Sequence, residues 1–438
     1  MNDHVVTRFA PSPTGKLHSG AYRTAIFAYL YARHHAGTFV LRIEDTDKER
    51  SKKEYEENIL ESLAWIGISH DVFVRQSENV QRHKQVLEKL IADGFAYISR
   101  EEAKDGSGVI KEIVRFKNPG IDITFEDAIK GSITMHTADL GDFVIAKNLE
   151  EPLFHLAVVV DDFDEGITHV IRGEDHVSNT PRQILLQRAI GAPTPMYAHL
   201  PLVLGEDKQK LSKRKGALAL TEYRDRGYLT EAILNMVTMV GWNPGTEQEL
   251  FSLDELVAIF DLDRVHKASA VFNPVKLDWF NREYIKKLPL GAFVHQVKKF
   301  TGPDTSEDFL IMIAPILQER ITSFNQVNDM IKTEFAFLLA KPTLDPALIC
   351  WKETSASDTK QHLTKAIEVL RYIHIWDEVV IRESLAPYME SIGKGPILWP
   401  LRYGLTGQKS SPDPFTCANL LGRDETIARI ETAIASLL

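Results

Sequence analysis

Val5-Val6-Thr7-Arg8-Phe9-Ala10-Pro11-Ser12-Pro13-Thr14-Gly15-Lys16-Leu17-His18-Ser19-Gly20 is the stretch that decides the fold. It opens with β-branched and aromatic residues, and two prolines and two glycines then interrupt it. A helical pattern follows over residues 21–35. A strand, a tight loop and a helix in this order are typical of the first unit of a nucleotide-binding α/β domain.

The loop in this stretch has the chemistry of an anion site. A helix that starts after Gly20 directs unpaired amide hydrogens and its positive dipole end at the loop, which favours a phosphate. Gly15 and Gly20 let the backbone approach that anion, and His18 adds a side-chain donor. The prolines stiffen the segment, so Arg8 and Ser12 are held near the strand end, where open parallel sheets bind ligands. The spacing fits neither the dinucleotide-binding nor the P-loop pattern, and a proline-rich turn with a surface histidine is the alternative.

The composition is that of an ordinary globular chain of about three domains. Its 438 residues are 44% hydrophobic and 26% charged, which allows large buried cores. No apolar run reaches the roughly 18 to 20 residues that span a bilayer, and the N-terminus has no secretory pattern, so we predict a cytoplasmic protein. The two cysteines, Cys350 and Cys417, exclude a disulfide framework and a cysteine-based zinc site by their number.

The net charge of −10 argues weakly against nucleic acid as a partner, because RNA binding needs cations that face phosphates. Basic residues are nevertheless concentrated at two places, which leaves local patches available. They are Lys208, Lys210, Lys213, Arg214 and Lys215, and then Lys276, Arg282, Lys286 and Lys287. The first group could clamp a triphosphate from a loop, although a solvated face is the usual explanation of such a run.

The next predicted strand, over residues 38–43, ends in the acidic cluster Glu44-Asp45-Thr46-Asp47. At the carboxyl end of a strand this cluster could bind an ammonium group or a ribose hydroxyl. The alternative is that Thr46 or Asp47 caps the following helix. A further helix is predicted over residues 78–93.

Two later runs predict neighbouring strands that end in charged groups. The continuous apolar run over residues 153–160 predicts a strand buried on both faces, followed by Asp161-Asp162. A strand over residues 168–171 is followed by Arg172. A buried Arg172 could hold a carboxylate in a bidentate pair, or it could form an internal ion pair with Asp161 or Glu174.

The remaining elements are predicted in chain order. Residues 97–151 mix short β-like runs with turns, which indicates a small inserted α+β module; the runs lie at 113–116, 121–125, 132–135 and 143–146. A helix then begins at Thr180, a strand lies around residues 202–204, and the chain is largely helical beyond residue 216. The predicted later helices cover 229–240, 308–317, 323–339, 359–372, 377–392, 398–405 and 424–438.

Two motifs carry a resemblance to a known family. Pro11-Ser12-Pro13-Thr14-Gly15 followed by Leu17-His18-Ser19-Gly20 resembles the HIGH-type signature of class I aminoacyl-tRNA synthetases, in the form found in glutamyl- and glutaminyl-tRNA synthetases. Lys210-Leu211-Ser212-Lys213-Arg214 resembles their KMSKS-type motif. Two signatures in this order, about 190 residues apart and bracketing an α/β pattern, are more specific than either alone. Ala21 stands where the signature has a second histidine, so only His18 could contact phosphates through that motif.

The resemblance implies a site for glutamate. In this family the glutamate that matches Glu44 contacts the α-amino group of the substrate, and the arginine that matches Arg172 binds its γ-carboxylate. We therefore expect Arg8, Ser12, Glu44 and Arg172 to hold glutamate. Phe154 stands where a tyrosine that lines the amino-acid pocket is expected, so one hydroxyl contact is predicted to be missing.

The resemblance also implies a site for ATP, which enters with Mg²⁺. We expect Gly15, His18, Gly20 and Lys213 to bind ATP, and Lys210 and Lys213 to stabilise the leaving pyrophosphate. His18, Lys210 and Lys213 are thus the expected catalytic residues. Some members carry a cysteine-rich zinc site in the insertion, but this insertion has no cysteine, so we predict no zinc.

The implied function is that of a bacterial-type glutamate-tRNA ligase, which forms glutamyl-adenylate and transfers glutamate to the 3′ end of tRNA-Glu. A form that also or only charges tRNA-Gln is the first alternative, and a non-catalytic tRNA-binding relative is the second. A glutaminyl-tRNA synthetase is disfavoured because its anticodon region is β-rich, and a shortened tRNA-modifying relative because it would lack most residues after about 300. A monomer without membrane contact is expected.

The resemblance implies a doubly wound, Rossmann-type α/β catalytic domain with an inserted α+β module, followed by an all-α anticodon-binding region. It is strongest over residues 5–47, 153–216 and 271–285. The predicted parts are the first catalytic half (1–96), the acceptor-end module (97–152), the second catalytic half (153–220), a helical stem-contact domain (221–288) and the anticodon-binding domain (289–438).

Overall fold

A computed structural model describes residues 4–102, 110–211 and 218–437. The chain folds into two compact units, Met1–Tyr284 and Ile285–Leu438. The described strands of the first unit are β1 (Val6–Phe9), β2 (Thr38–Ile43), β3 (Val72–Arg75), β4 (Ala96–Glu102), β5 (Ile110–Phe116), β6 (Asp122–Asp127), β7 (Gly131–His136), β8 (Phe143–Asn148), β9 (Glu151–Pro152), β10 (His169–Gly173), β11 (Met196–Leu200), β12 (Val203–Leu204) and β13 (Ala270–Val271).

The helices of this unit are α1 (Ser19–His34), α2 (Lys53–Trp65), α3 (Val80–Ala92), α4 (Phe154–Asp164), α5 (Thr180–Ile190), α6 (Leu220–Asp225), α7 (Thr230–Met239), α8 (Leu253–Ile259) and α9 (Pro274–Lys287), the last of which continues into the second unit. Short 3₁₀ turns cover Gln76–Asn79, Ala138–Leu140, Glu174–Asn179 and Leu262–Arg264.

Within the described residues the main sheet has the strand order β3-β2-β1-β10-β11-β6-β7. Neighbouring strands are parallel except for β6 and β7, which form an antiparallel hairpin. The chain winds outward in one direction from β1 to β3 and in the other from β10, so β1 and β10 flank the topological switch point. Open α/β sheets bind ligands at this point, at the carboxyl ends of the strands. The predicted doubly wound fold is confirmed.

Helices cover both faces of the sheet. Successive residues Val170 and Ile171 on β10 belong to two different cores, because side chains alternate along a strand. One core contains buried residues of α1, α7 and α8, and the other contains residues of α3, α4 and α5. With both faces buried, the central strands can be apolar throughout, as β2 largely is.

The strand prediction for residues 153–160 was wrong, because this run lies within α4. Leu156 to Val160 are all buried, so the middle of this helix is apolar on every side. A short continuous apolar run has no helical period, and a buried strand would give the same pattern. Asp161 and Asp162 consequently lie near the end of a helix and not after a strand. The predicted strand at residues 202–204 is only the short β12, which pairs with β13, while the main-sheet strand β11 precedes it.

The β-like runs predicted between residues 97 and 151 are all strands, but they belong to two sheets. β4, β5, β8 and β9 form a separate antiparallel sheet. The β6–β7 hairpin instead extends the main sheet, where Tyr197 on β11 is the register partner of Asp127 on β6. The inserted segment is therefore partly continuous with the sheet that carries the cleft described below.

In its described residues 285–437 the second unit consists of helices and the loops that connect them, as predicted. Its helices are α10 (Leu290–Lys298), α11 (Glu307–Arg320), α12 (Val327–Lys332), α13 (Ala336–Leu339), α14 (Pro346–Ile349), α15 (Ala356–Arg371), α16 (Glu378–Ile392), α17 (Gly395–Thr406), α18 (Pro414–Leu421) and α19 (Arg423–Ala435). The single helix predicted over 323–339 is broken into a 3₁₀ turn (Phe324–Gln326), α12 and α13. In the described parts of the chain, no helix has the length and apolar character needed to cross a membrane.

Candidate active site

A cleft of about 510 Å³ opens at the carboxyl ends of β1 and β10, the switch point of the main sheet. Most of the residues selected from the sequence line this cleft: Arg8, Pro11, Ser12, Thr14, Gly15, Leu17, His18, Gly20, Glu44, Phe154, Arg172, Lys210 and Leu211. Pro13 is buried beside it. Ser212, Lys213 and Arg214 lie outside the described residues, so the structure brings together the first motif and only the beginning of the second.

The opening loop is tied to the elements that follow it. The carbonyl oxygen of Pro11 accepts a hydrogen bond from the Glu44 amide at 3.0 Å, and that of Pro13 accepts one from the Lys52 amide at 3.0 Å. The amide of Leu17 donates to Asn58 Oδ1 at 3.1 Å. α1 then begins after His18, which has an extended backbone and makes no side-chain cap. The Ala21 and Tyr22 amides donate to the His18 carbonyl oxygen, at 2.9 and 3.0 Å, and Gly20 and Ala21 at the start of the helix line the cleft.

A buried ionic cluster lies beside the cleft, around the fully buried Arg42 of β2. Its guanidinium is 2.8 Å from Asp162, 2.7 Å from Glu165, 3.3 Å from Glu44 and 4.0 Å from Asp161. Arg8 Nε adds a further bond to Asp162 Oδ1 at 3.2 Å. Glu44, the one member of this cluster besides Arg8 that lines the cleft, is thus held in place by Arg42. Asp47 does not cap α2, because its carboxylate accepts bonds from Arg50 instead.

The pKa values in this cluster shift in both directions: burial opposes the ionisation of Asp162, but Arg8 and Arg42 outweigh it and lower its pKa. Burial raises the pKa of Glu165 to about 7, against the attraction of Arg42 and with a contribution from Asp162. Burial also raises the pKa of Glu44. The surrounding carboxylates raise the pKa of Arg42 well above its ordinary value, although its burial opposes this. Arg42 is therefore a permanent cation whose charge is compensated within the protein.

Arg172 on β10 is also buried, but its partners are neutral. Its Nε donates to His199 Nε2 at 3.1 Å, and its Nη2 donates to Thr180 Oγ1 at 2.8 Å. The guanidinium carbon lies 5.2 Å from the centroid of the Tyr197 ring. No carboxylate among the described residues forms an ion pair with Arg172. Burial lowers its pKa to about 10, because the cation has lost water without gaining a counter-ion.

The internal ion pairs considered for Arg172 are both absent from the described residues, since each proposed partner is engaged elsewhere. Glu174 accepts bonds from Lys130 Nζ and from the Leu202 amide. Asp161 bonds to His83 and to two amide side chains behind the cleft. The inner end of the cleft thus presents a buried cation that is suited to binding a carboxylate.

Two aromatic rings line or border the cleft near Arg172. Phe154, in the first turn of α4, is 37% exposed and lies 5.7 Å from the ring of His176. Burial, with a contribution from Arg172, lowers the pKa of His176 to about 4, so this ring is neutral at pH 7. At the outer end of the cleft, Lys210 Nζ is 3.5 Å from Asp175 and the lysine side chain is mostly exposed.

The structure adds two site-supporting residues that sequence reasoning missed. Asp127 ends β6, and His199 lies on β11, next to Arg172. Asp127 Oδ2 is 2.5 Å from His199 Nδ1, and both side chains are fully buried. The only signal in the sequence was a carboxylate at the end of a predicted β-run, and its partner lies 72 residues away.

Comparisons with known proteins show the family to which the chain belongs. Residues 4–106 and 98–279 match the family model described as tRNA synthetases class I (E and Q), catalytic domain. Residues 279–434 match an anticodon binding domain. The chain is 42% identical to the glutamate-tRNA ligase of Aquifex aeolicus over 92% of this chain and 93% of that protein. It is 37% identical to that of Lawsonia intracellularis over 98% of both.

Solved structures of the same kind are also similar. The crystal structure of a glutamate tRNA ligase from Elizabethkingia meningosepticum, in complex with its amino acid, superposes with a TM-score of 0.88 at 31% identity. The match covers 99% of this chain and 100% of that one. A synthetase from Elizabethkingia anophelis gives a TM-score of 0.86 with the same identity.

Proposed function

The chain belongs to the class I tRNA synthetases of the glutamate and glutamine type, and from this premise we propose that it ligates glutamate to tRNA at the expense of ATP. The observation that carries the amino-acid specificity is Arg172, a buried guanidinium in the cleft whose described partners are neutral. A carboxylate that binds there replaces the missing counter-ion. The uncharged side chain of glutamine gains less from the same contact.

We assign the four residues selected from the sequence to glutamate. Arg172 and Arg8 supply positive charge at the inner end of the cleft, and Glu44, fixed by Arg42, accepts the α-ammonium group. Ser12 lines the same cleft and offers a hydroxyl. The α-carboxylate is then left free to act as the nucleophile.

We assign the outer part of the cleft to ATP, which enters with Mg²⁺. The loop amides, Gly15, Gly20 and His18 would hold the phosphates, and these three residues line the cleft. Lys210, together with Lys213, neutralises the charge that develops as pyrophosphate leaves. The glutamate carboxylate attacks the α-phosphate in line, the bond to pyrophosphate breaks, and the terminal ribose hydroxyl of tRNA later displaces AMP. Positioning and charge stabilisation supply the rate, without a covalent enzyme intermediate.

The parts of the chain that would meet tRNA are proposed from the family. Residues 97–152 would contact the acceptor end, residues 221–288 the stem, and residues 289–438 the anticodon. We expect a monomer, which light scattering would check. We also expect no bound zinc; one zinc per chain by elemental analysis of the purified protein would refute this.

The decisive experiment is aminoacylation with labelled glutamate on separately transcribed tRNA-Glu and tRNA-Gln. Charging of tRNA-Glu alone identifies a discriminating ligase. Charging of tRNA-Gln, alone or in addition, identifies an enzyme that feeds an indirect route to glutaminyl-tRNA. If neither is charged, the ligase assignment fails and a non-catalytic tRNA-binding role is left.

A further inference from the structure

A buried chain of hydrogen bonds leads from the inserted segment to the arginine of the cleft. Asp127 lies at the end of β6, in the hairpin that the insertion adds to the main sheet. Its carboxylate contacts His199 Nδ1 at 2.5 Å, and His199 Nε2 accepts the bond from Arg172 Nε at 3.1 Å. The three side chains thus form a line of contacts across three strands.

The carboxylate of Asp127 is itself rigidly held. Its Oδ1 accepts bonds from the amides of Ile129 at 3.0 Å and Lys130 at 2.8 Å. Its Oδ2 also accepts the amide of His199 at 3.1 Å. Burial opposes ionisation, but the bonds from His199 and the Lys130 amide outweigh it and lower the pKa of Asp127. Asp127 is therefore an ionised and fixed acceptor at neutral pH.

The tautomer of His199 follows from its two neighbours. A guanidinium can only donate hydrogen bonds, so the Nε2 atom that faces Arg172 must be unprotonated. A carboxylate can only accept when ionised, so the proton lies on Nδ1, which faces Asp127. Burial lowers the pKa of His199, with Arg172 adding to this and Asp127 opposing it, so the ring is neutral. Asp127 thus keeps the lone pair of His199 Nε2 directed at the Nε–H group of Arg172.

This arrangement fixes the orientation of the Arg172 guanidinium. Nε is held by His199, Nη2 by Thr180, and one face by the Tyr197 ring. Its Nη1 has no hydrogen-bond partner among the described residues, and Arg172 lines the cleft. The edge that carries Nη1 is therefore left for a ligand, while the rest of the group cannot rotate.

We propose that the Asp127–His199 pair is a positioning device for Arg172, through which the inserted segment sets the affinity of the cleft for the side-chain carboxylate of glutamate. The inference rests on the proposed function, because it takes that carboxylate as the ligand of Arg172. Asp127 and His199 are positioning residues, since neither lines the cleft. If the pair only stabilised the fold, its loss would lower the amount of active enzyme and leave the affinity for glutamate unchanged.

The test uses the full chain and measures KM and kcat for glutamate with saturating ATP and tRNA. Asp127→Asn preserves the shape of the side chain, but it allows the proton of His199 to move from Nδ1 to Nε2. On Nε2 this proton would face the Nε–H group of Arg172, and the hydrogen bond between the two side chains would be lost. We expect KM for glutamate to rise at least about tenfold and KM for ATP to stay within about twofold. The matched control is Asp71→Asn, since Asp71 also accepts a backbone amide, from Phe39 at 2.7 Å, and pairs with Arg33 outside the cleft. The control should leave KM for glutamate unchanged.

A second variant tests whether Asp127 acts through His199. The side-chain oxygen of His199→Gln can take the place of Nε2 and accept from Arg172 without help from Asp127, so KM for glutamate should stay near the wild-type value. Asp127→Asn should then add no further increase in the double variant, because the two changes share one pathway.

The outcomes separate the two proposals. If the wild type charges no tRNA with glutamate, the proposed function fails and this inference fails with it. If the wild type is active but Asp127→Asn leaves KM for glutamate within about twofold of the wild-type value, only the positioning role is overturned. The same holds if Asp127→Asn raises KM for glutamate by the same factor in the His199→Gln variant as in the wild type.

Discussion

Two buried arginines on either side of β1 have opposite surroundings. Arg42 on β2 faces Glu44, Asp161, Asp162 and Glu165. Arg172 on β10 has an imidazole, a hydroxyl and an aromatic ring as its partners. The carboxylates raise the pKa of Arg42, whereas burial lowers that of Arg172 to about 10.

We interpret this difference as one between a structural charge, Arg42, and a charge that the proposed substrate would compensate, Arg172. A buried ion without a counter-ion is unfavourable, so a fold that keeps one bears an energetic cost until a ligand compensates it. The charge of Arg42 is compensated when the chain folds. Among the described residues only neutral groups bond to Arg172, and a substrate carboxylate can compensate its charge. α4 joins the two regions, since Phe154 at its start lines the cleft and Glu165 at its end contacts Arg42.

The largest expected effect is on the Arg42 side. Arg42→Met leaves four buried carboxylates without their shared cation, so the free energy of unfolding should fall by about 3–5 kcal/mol. Chemical denaturation would measure this. The control is Arg33→Met, which breaks the more exposed pair with Asp71 and should cost about 1 kcal/mol. Equal losses in the two variants would contradict the structural role given to Arg42.

The Arg172 side should respond in activity and not in stability. Arg172→Gln breaks no ion pair with any described residue, so the unfolding transition should move little. The substrate carboxylate loses its partner, and kcat/KM for glutamate should fall about 100-fold or more, near 3 kcal/mol. Aminoacylation kinetics and thermal unfolding on the same preparation check both parts. A large loss of stability with an unchanged KM for glutamate would show that Arg172 stabilises the fold and does not bind the substrate.

The burial of Glu165 beside Arg42 predicts a pH dependence of stability. The pKa of Glu165 is raised from 4.5 to about 7 by burial, so the folded state binds a proton that the unfolded state has already lost. Its contribution is present below pH 4.5 and is lost as the pH rises to about 7. Between these values the wild type should lose up to about 3 kcal/mol relative to Glu165→Gln. Parallel curves of unfolding free energy against pH would show that Glu165 is not perturbed.

On the Arg42 side the strand and the opening loop could be predicted from the sequence, because their signals are local, whereas the contacts of Arg42 with Asp162 and Glu165 join residues 120 or more positions apart. The prolines and glycines of the opening loop and the period of the following helix give β1, the loop and α1, and β2 was predicted to the residue at Thr38–Ile43. Glu44 follows directly from that strand. The resemblance of the two motifs to those of the family then supplied the expected roles of these residues, which the hydrophobic periodicity of the sequence does not contain.

The support of Arg172 could not be predicted, because it depends on pairing between distant strands. Asp127 reaches His199 only after the inserted hairpin joins the main sheet beside β11. α4 was mistaken for a strand because its run is apolar on every side and has no period. Both errors concern the same question, namely which elements are buried against each other, and this is settled by tertiary packing.

The smallest expected effect concerns Phe154, on the Arg172 side of the cleft, and the hydroxyl that its ring lacks. Phe154 lines the cleft, and a hydroxyl at this ring would add one hydrogen bond to the bound amino acid. Phe154→Tyr should strengthen the binding of glutamate by about 1 to 2 kcal/mol, which corresponds to a roughly five- to thirtyfold lower KM for glutamate. Phe163→Tyr is the matched control, because Phe163 is 40% exposed on the same helix but lies outside the cleft. If the two variants behave alike, the missing hydroxyl does not limit the binding of glutamate.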